Sequence, residues 1–447
     1  MPDYDGREGE WSPSPVVWPA RLVLFPLFLV TEVGLRQPIG FITRGIDRFN
    51  IATRTREALT FRDHTLGFFP TITIANGMQP GFGIAAFADR LFVDWHFMRG
   101  SVVTDFQRNI IASFLNRFNL GRAADLNLLA SYQRRNDLVF YGTGSDTVRD
   151  DRTRFERRKP FIELELATGS GQVASAAASS NGISSGDFAT LDTALQALSH
   201  FGGRLSIELS DNNFGCTTRA PDICGDDSAE GTGDDRYSLG RDGEAAYFTS
   251  GYALMRIKAL ISADTRKAGR PSSTGVRIDI FGRYGEGLGS RADDVRFFRY
   301  GGELSGFWDV TGHRRRVFAA RLYVELLERG RNHDVPFMEL INLGGPEVMR
   351  GFLRARFQGE SATVATIDYR WPIWSFLDAN LFYEMGNVWD RHLANFDVKK
   401  LRGGYGLALR TNSSRDASFQ LLIAAGTKQW SAQPDEFRFM AGTNVGF

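Results

Sequence analysis

The residue types that most often carry chemistry are sparse in this chain, and they form no familiar catalytic pattern. Six histidines are scattered over the 447 residues, and the sequence contains neither a His-Glu-x-x-His motif nor a phosphate-binding loop. The stretch Gly285–Gly289 resembles a nucleotide fingerprint only in its glycines, because it lacks a strand–turn–helix context. The pair His333-Asp334 is a weak candidate for a surface hydrolase, since no second acidic pair accompanies it. We therefore expect a protein that is not an enzyme and needs no cofactor.

The two cysteines, Cys216 and Cys224, lie in one polar stretch of the chain. Their closeness predicts a local disulfide formed in an oxidising compartment, with two free thiols as the alternative. Acidic residues beside them could offer carboxylates to calcium, but such a run is more often a solvated loop, so we predict no metal site. The acidic run comprises Asp222, Asp226, Asp227, Glu230, Asp234 and Asp235.

A glycine-rich segment, Leu343–Phe352, is the most distinctive part of the sequence. It reads Leu-Gly-Gly-Pro-Glu-Val-Met-Arg-Gly-Phe and holds a single arginine, Arg350, next to its end. Two patterned segments follow it, Ile367-Asp-Tyr-Arg-Trp-Pro372 and Leu381-Phe-Tyr-Glu-Met-Gly-Asn-Val-Trp389. The role of this segment depends on the secondary-structure elements that position it. The spacing of apolar and polar residues in the rest of the chain indicates what those elements are.

The composition excludes several classes of protein. Lys and Arg together number 53 and Asp and Glu 52, so the net charge of +1 gives no reason to expect a nucleic-acid partner. An apolar content of 43% excludes a disordered chain. No apolar run approaches the roughly 18 residues of a membrane-spanning helix, because the longest, residues 22–30, is short and contains Pro26.

From about residue 65 onward, apolar and polar residues alternate with a period of two, which predicts β-strands with one apolar and one polar face. In the last eleven residues, Phe437, Phe439, Ala441, Thr443, Val445 and Phe447 share one face. A strand of this length matches the roughly 9–11 residues that a tilted strand needs to cross a bilayer. Similar alternation occurs in segments 276–281, 318–326, 365–371, 405–410 and 419–425.

Two architectures could use such strands, a water-soluble sandwich and a membrane barrel. Sandwich strands are usually about 5–6 residues long, whereas several here are longer and carry aromatic residues near their ends, as at membrane interfaces. Backbone groups in lipid must all be paired, which favours a closed barrel. We predict an all-β fold, a transmembrane antiparallel β-barrel of about 16 strands over residues 65–447. Long connections, 141–152, 211–243 and 329–360, would lie outside the cell.

Residues 1–64 differ from the rest of the chain. The first 15 residues are polar and acidic, unlike a signal peptide. The apolar positions that follow predict short helices at a membrane surface or in the barrel, with an ordinary packed helix as the alternative. We expect residues 1–64 to form a partly helical periplasmic or interfacial segment.

The succession of Leu343–Phe352 and the two patterned segments after it resembles the bacterial surface antigen barrels, which include the BamA and TamA assembly factors and the FhaC-type transporters. The resemblance implies that loop 329–360 folds back into the lumen. At its tip would lie Arg350, with Gly344, Gly345, Gly351 and Phe352 completing the motif, and Asp368 and Glu384 would be its acidic partners. Alternation independently places both carboxylates on the polar face of their strands. Glu384 departs from the aspartate usual in the family.

The resemblance also implies a location and a function. The C-terminal residues Gly442, Val445 and Phe447 would be the signal by which a barrel enters the outer membrane, although Val445 replaces the usual aromatic. We expect a monomeric barrel in the bacterial outer membrane that contacts lipid and a client polypeptide or periplasmic partner. Its function would be translocation or insertion of protein or lipid; a passive pore or structural barrel is the alternative. Because a POTRA module of the family is longer than 64 residues, we expect residues 1–64 to contain none.

Overall fold

The computed structural model describes most of the chain beyond residue 56. Positions 25, 33, 37 and 41 are the described residues before it, and the rest of the expected N-terminal segment lies outside the described residues. From residue 57 the described ranges are 57–62, 65–75, 81–121, 124–170, 199–217, 245–266, 274–310, 316–331, 333–345, 348–374, 377–411 and 417–445.

The described residues fold almost entirely into β-strands. The strands are β1 (Thr60–Phe61), β2 (Leu66–Ala75), β3 (Gly81–Asp89), β4 (His96–Thr104), β5 (Ile110–Asn119), β6 (Ala124–Phe140), β7 (Thr153–Ser170), β8 (Ser199–Gly215), β9 (Tyr252–Asp264), β10 (Gly275–Leu288), β11 (Arg296–Asp309), β12 (Val317–Arg329), β13 (Ile341–Leu343), β14 (Phe357–Gly359), β15 (Ser361–Trp374), β16 (Leu377–Trp389), β17 (Arg402–Thr411), β18 (Ala417–Gln429) and β19 (Pro434–Val445). Short 3-10 helices occupy Arg149–Asp151, Phe337–Glu339, Arg391–Leu393 and Val398–Lys400.

Sixteen of these strands pair in sequence order around one antiparallel sheet, with β12 followed by β15. The last strand, β19, also pairs with β2, so the pairings run from β2 through β19 and back to β2. The two-residue β1 adds to β2, and β13 and β14 form a separate small sheet. The prediction of an all-β antiparallel barrel with about 16 strands is confirmed. Among the described residues, no helix is long and apolar enough to span a membrane.

The two faces of the strands differ as the alternation predicts. In β10, Val276, Ile278 and Ile280 are exposed on the outside, whereas Arg277 and Asp279 between them are buried in the interior. An exposed aliphatic face is unfavourable in water but is compatible with lipid. The polar groups inside pair with one another, as Arg277 and Asp279 do at 2.9 Å.

The height of the wall is uneven. Strands β2 to β5 contain nine or ten residues each, whereas β6, β7 and β8 contain 17 or 18. The first residue of β5, Ile110, pairs with Arg134, but β6 continues to Phe140. The wall of the barrel is therefore low over β2 to β5 and highest over β6 to β8.

Among the described residues, the contact between β19 and β2 is the shortest pairing in the ring. It joins Thr73–Ala75 to Met440–Gly442 through three residue pairs, whereas every other neighbouring pair of the sixteen strands shares eight or more. Beyond Gly442, residues Thr443–Val445 of β19 pair with β18 but with no residue of β2. We call this contact between β2 and β19 the seam.

The long connection between β12 and β15, residues 330–360, folds into the barrel. Strands β13 and β14 form a hairpin within it, and its apolar residues make a buried core with the inner surfaces of β12, β15 and β16. That core includes Leu327, Ile341, Leu343, Met349, Phe352, Phe357, Val364 and Val388. The inner hairpin is thus held by apolar packing as well as by charge.

Several details differ from the expected boundaries or lie beyond them. Strand β8 continues to Gly215, so the second long connection starts later than residue 211. A short strand, Thr60–Phe61, pairs with β2 before the expected start of the barrel at 65. The Gly285–Gly289 stretch falls at the end of β10, as expected for a strand end rather than a nucleotide loop.

Candidate functional site: the inner loop and the seam

The guanidinium of Arg350 lies between two carboxylates of the barrel wall. Its Nε donates to Glu384 Oε1 at 2.9 Å, and its Nη2 donates to Asp368 Oδ1 at 2.8 Å. The backbone N–H of Arg350 also donates to Glu384. All three residues are buried. Both oxygens of Glu384 therefore hold the same loop residue, one through its side chain and one through its backbone.

The strands position these carboxylates by register. Asp368 of β15 lies opposite Phe382 of β16, and Thr366 lies opposite Glu384. The two carboxylates are therefore two residues apart along the ladder on neighbouring strands, a distance that a forked guanidinium can span. The ring of Phe382 lies 3.8 Å from the guanidinium carbon of Arg350, adding a cation–π contact.

Further arginines complete the charge balance around the tip. Arg321 lies 3.6 Å from Glu384 and Arg370 lies 3.3 Å from Asp368. Burial alone would lower the pKa of Arg350, but the charges of Asp368 and Glu384 outweigh it and raise that pKa. The two carboxylates therefore favour the charged form of the tip arginine.

Glycines let the loop tip touch the wall backbone to backbone. A Cβ on Gly351 would lie 2.4 Å from the carbonyl oxygen of Ala425 and 3.0 Å from the Cα of Gly404. On β18, a Cβ on Gly426 would lie 2.5 Å from a ring carbon of Phe352. Small residues on β17 and β18 thus form the shallow seat that receives Gly351 and Phe352.

The first glycines of the motif shape the turn into the tip. Gly344 and Gly345 have φ angles of +99° and +133°, which residues with a side chain rarely adopt. A Cβ on Gly344 would also meet the carbonyl oxygen of Leu353 at 2.1 Å. The Gly-Gly pair therefore folds the chain back on itself so that Arg350 can reach the wall.

A second arginine, Arg356, ties the same loop to the last strand, and the sequence pattern did not single it out. Its Nε donates to Glu436 Oε1 at 2.7 Å, and its side chain is completely buried. Its other nitrogens donate to Oγ1 and the carbonyl oxygen of Thr147, each at 3.0 Å. Arg356 therefore joins loop 330–360, the connection after β6 and strand β19 at one point.

Two more contacts link the loop tip to β19. Arg438 donates to the carbonyl oxygens of Arg350 and Phe352 at 3.3 and 2.9 Å. The backbone N–H of Leu353 donates to Glu436 at 3.3 Å. The strand that forms one side of the seam is consequently held from the inside by the loop.

The connection 141–152 covers the loop from above; we call it the cover segment. Tyr141 is buried against Arg356, with 4.7 Å between its ring and the guanidinium carbon. Further along, Asp146 pairs with Lys400 and accepts a hydrogen bond from Gln429 at 3.0 Å. The hydrogen bond from Lys400 lowers the pKa of Asp146, and burial raises the pKa of Tyr141 to about 12.

The remaining predicted residues lie away from this site or outside the described residues. Gly442 pairs with Thr73 at the seam, and Val445 pairs with Ala417, whereas Phe447 lies outside the described residues. Cys216 is disulfide-bonded, but Cys224 and the acidic run lie outside the described residues, so the pairing stays a prediction. His333 contacts the carbonyl oxygen of Asp294 at 3.0 Å through its ring nitrogen.

Comparison with known proteins decides the family. Residues 169–445, more than half of the chain, match the Omp85 superfamily domain. The chain belongs to the Omp85 superfamily. This agrees with the resemblance noted in the sequence. No curated protein sequence matches the chain.

Solved structures agree with this Omp85 fold. BamA from Haemophilus ducreyi lacking POTRA domains 1–3 matches 86% of this chain and 70% of its own, with a TM-score of 0.55 and 13% identity. CdiB from Escherichia coli matches 87% of this chain at a TM-score of 0.50 and 13% identity. The chain spans 64% of that CdiB structure. At this identity the likeness concerns the fold.

Proposed function

We propose that this Omp85 barrel acts without enzymatic chemistry, as a monomer in the bacterial outer membrane, to translocate or insert a client polypeptide. The observation that carries the proposal is the seam. A β-strand edge offers unpaired N–H and C=O groups to any chain that can pair with it. Residues Thr443–Val445 of β19, which pair with β18 but not with β2, present such an edge.

The energetics of the seam support opening there in preference to elsewhere. Among the described residues, separating β2 from β19 breaks three residue pairs, whereas separating any other neighbours breaks at least eight. Each backbone hydrogen bond contributes about 0.5–1.5 kcal/mol net, and loss in lipid costs more because water cannot replace it. Opening at the seam is therefore the least costly way to expose a strand edge to a client.

The inner loop would hold β19 against the rest of the barrel while the seam is open. Because Glu436 and Arg438 bind the loop, β19 stays attached to the lumen side when it leaves β2. Asp368 and Glu384, further along the wall, hold the other side of the tip. In this proposal the loop is a brace that lets the seam open while the barrel keeps its shape.

A crosslink across the seam tests the proposal. Thr73 and Gly442 are directly paired, so Thr73→Cys with Gly442→Cys should form a disulfide that locks the seam. The readout is the rate at which a urea-denatured eight-stranded barrel folds into liposomes containing the protein. We expect the oxidised variant to lose the acceleration and the reduced variant to regain it.

A matched crosslink controls for the disulfide itself. Ala86 and Gly100 are paired in the continuous wall between β3 and β4, so locking them should leave the acceleration intact. Full acceleration by the oxidised seam variant would overturn the proposal. Steady open-channel current in a planar bilayer, unaffected by the seam lock, would favour the passive pore instead.

A further inference from the structure

The outer face of β3 to β8 contains an apolar depression. A cavity of about 790 Å³ lies against it, and its lining extends from β3 across five further strands. The lining residues that point outward are almost all apolar, and the band they form belongs to the membrane-facing surface. They include Ile84, Val102, Phe114, Tyr132, Ile162 and Leu209.

Two arginines end this apolar band on the side of the long loops. On β6, the outward residues Leu128, Ala130 and Tyr132 are followed by Arg134. On the antiparallel strand β7, Arg158 is the next outward residue beyond Pro160 in the same direction along the barrel. Arg134 and Arg158 lie directly opposite each other in the ladder. Like charges directly opposite on one face are unfavourable unless a counter-charge is near.

Among the described residues, a single carboxylate, that of Glu156, pairs with these two guanidinium groups. Glu156 accepts from Arg134 Nε and Nη2, both at 3.1 Å, and from Arg158 Nε at 2.6 Å. The Glu156 side chain is almost fully covered, whereas that of Arg158 is 55% exposed. The terminal nitrogens of Arg158 have no partner among the described residues and remain available as donors.

The neighbouring charges do not neutralise the excess. Asp211, at the same edge of the depression, already pairs with Arg291 at 3.0 Å. The edge therefore keeps a positive charge directly above an apolar surface. Phosphate oxygens are the acceptors that a pair of adjacent guanidinium groups binds best.

We propose that this depression is a binding site for a phosphate-bearing lipid of the outer leaflet, with acyl chains against β3 to β8 and the phosphate at Arg134 and Arg158. The membrane-facing position means that lipid covers this surface, and the charge selects an anionic head group. The low wall over β2 to β5 supports the assignment, because Ile110 at the top of β5 lies opposite Arg134.

Native mass spectrometry of the full chain in detergent tests this site. The probe is bis-phosphorylated, hexa-acylated lipid A, compared with its dephosphorylated form. Replacing both arginines, Arg134→Gln with Arg158→Gln, should weaken binding of the phosphorylated probe at least about tenfold, because the charge-assisted hydrogen bonds to its phosphate are lost. Binding of the dephosphorylated form should not change. Gel mobility with and without heating checks that the variant is folded.

The control variant replaces another exposed arginine that lies outside the depression. Arg296 is also an exposed outward arginine near a strand end, but it pairs one-to-one with Glu286 at 2.7 Å and lies outside the depression. Arg296→Gln should leave binding unchanged. A second variant, Ala130→Trp, fills the depression and should weaken both probes. Unchanged binding in the double variant, equal binding of the two probes to the native chain, or an equal loss in Arg296→Gln would overturn the proposal.

Discussion

Arg356 in the inner loop and Glu436 in the last strand form a completely buried ion pair, with 2.7 Å between Nε and Oε1. The pair connects the loop to the strand that forms one side of the seam. Because Arg356 also donates to Thr147, the same side chain fixes the cover segment. One residue thus couples three parts of the molecule that are far apart in the sequence.

Replacing Arg356 should release the cover segment. Arg356→Gln leaves Glu436 buried without its partner, which costs about 3–5 kcal/mol in typical buried pairs. We expect faster tryptic cleavage at Arg149 and Arg152, and a lower melting temperature. Arg331→Gln, an exposed arginine in the same connection, is the control and should change neither. Native protection of the cover segment in Arg356→Gln would show that the coupling is unimportant.

Replacing Arg350 should destabilise the inner loop far more than replacing a surface arginine. Arg350→Ala leaves two buried carboxylates without their shared partner, and we expect a loss of about 3–5 kcal/mol. Arg391→Ala breaks an exposed pair with Glu328 and should cost less than about 1 kcal/mol. Limited proteolysis of residues 330–360 and the temperature of heat-modified gel mobility measure the difference. Similar losses in both variants would contradict the inward assignment.

A methyl group at the loop tip should be enough to displace it. Gly351→Ala places a carbon 2.4 Å from a backbone oxygen that cannot rotate away, so overpacking of about 1–3 kcal/mol is expected. Gly306→Ala in β11 is the matched control, because a Cβ there meets nothing within 4 Å. Thermal unfolding in detergent compares the two. If Gly351→Ala is as stable as Gly306→Ala, the close approach of the tip is not required.

The buried tyrosine of the cover segment predicts an alkaline sensitivity. Burial raises the pKa of Tyr141 to about 12, above the ordinary value of about 10. Its neutral form is therefore favoured in the folded state, so the associated stability is complete below about pH 10 and declines as the pH rises through 12. Melting temperatures measured from pH 9 to 11.5 should fall less steeply for Tyr141→Phe.

The same variant has a second expected outcome at neutral pH. The Tyr141 hydroxyl is buried and has no hydrogen-bond partner among the described residues, so removing it should be neutral or stabilising. Phenylalanine keeps the cation–π contact with Arg356. A clear destabilisation of Tyr141→Phe at pH 7 would mean that the hydroxyl has a partner in the membrane-bound protein.

The strands and part of the site could be predicted because they depend on local pattern. The alternation of apolar and polar residues around Ile278 or Phe439 is visible in a few residues. It predicts both that the segment is a strand and which side chains face outward. The partners of Arg350 were expected from the resemblance, and the alternation agreed, since Asp368 and Glu384 each follow an apolar neighbour. Nothing comparable marks Arg356, because its partners Glu436 and Thr147 lie in distant segments with no periodic relation to it.

The pairing register between strands that are distant in sequence could not be predicted from the sequence either. The brevity of the seam depends on where Thr73 meets Gly442, and no local signal in either strand specifies that match. The glycine seat at Gly404 and Gly426 has the same origin, since a glycine in a strand indicates a close approach but not what approaches. The charge excess at Arg134 and Arg158 follows from cross-strand register, which alternation within one strand does not define.

The seam also bears on the order of assembly. Thr73 lies in β2 and Gly442 lies in β19, which are far apart in the sequence. Their pairing therefore closes a loop that includes most of the chain. Arg350, Asp368 and Glu384 are close in sequence and can meet as soon as β15 and β16 form a hairpin. Because loop-closure entropy grows with the length enclosed, the inner brace should form early and the ring should close last.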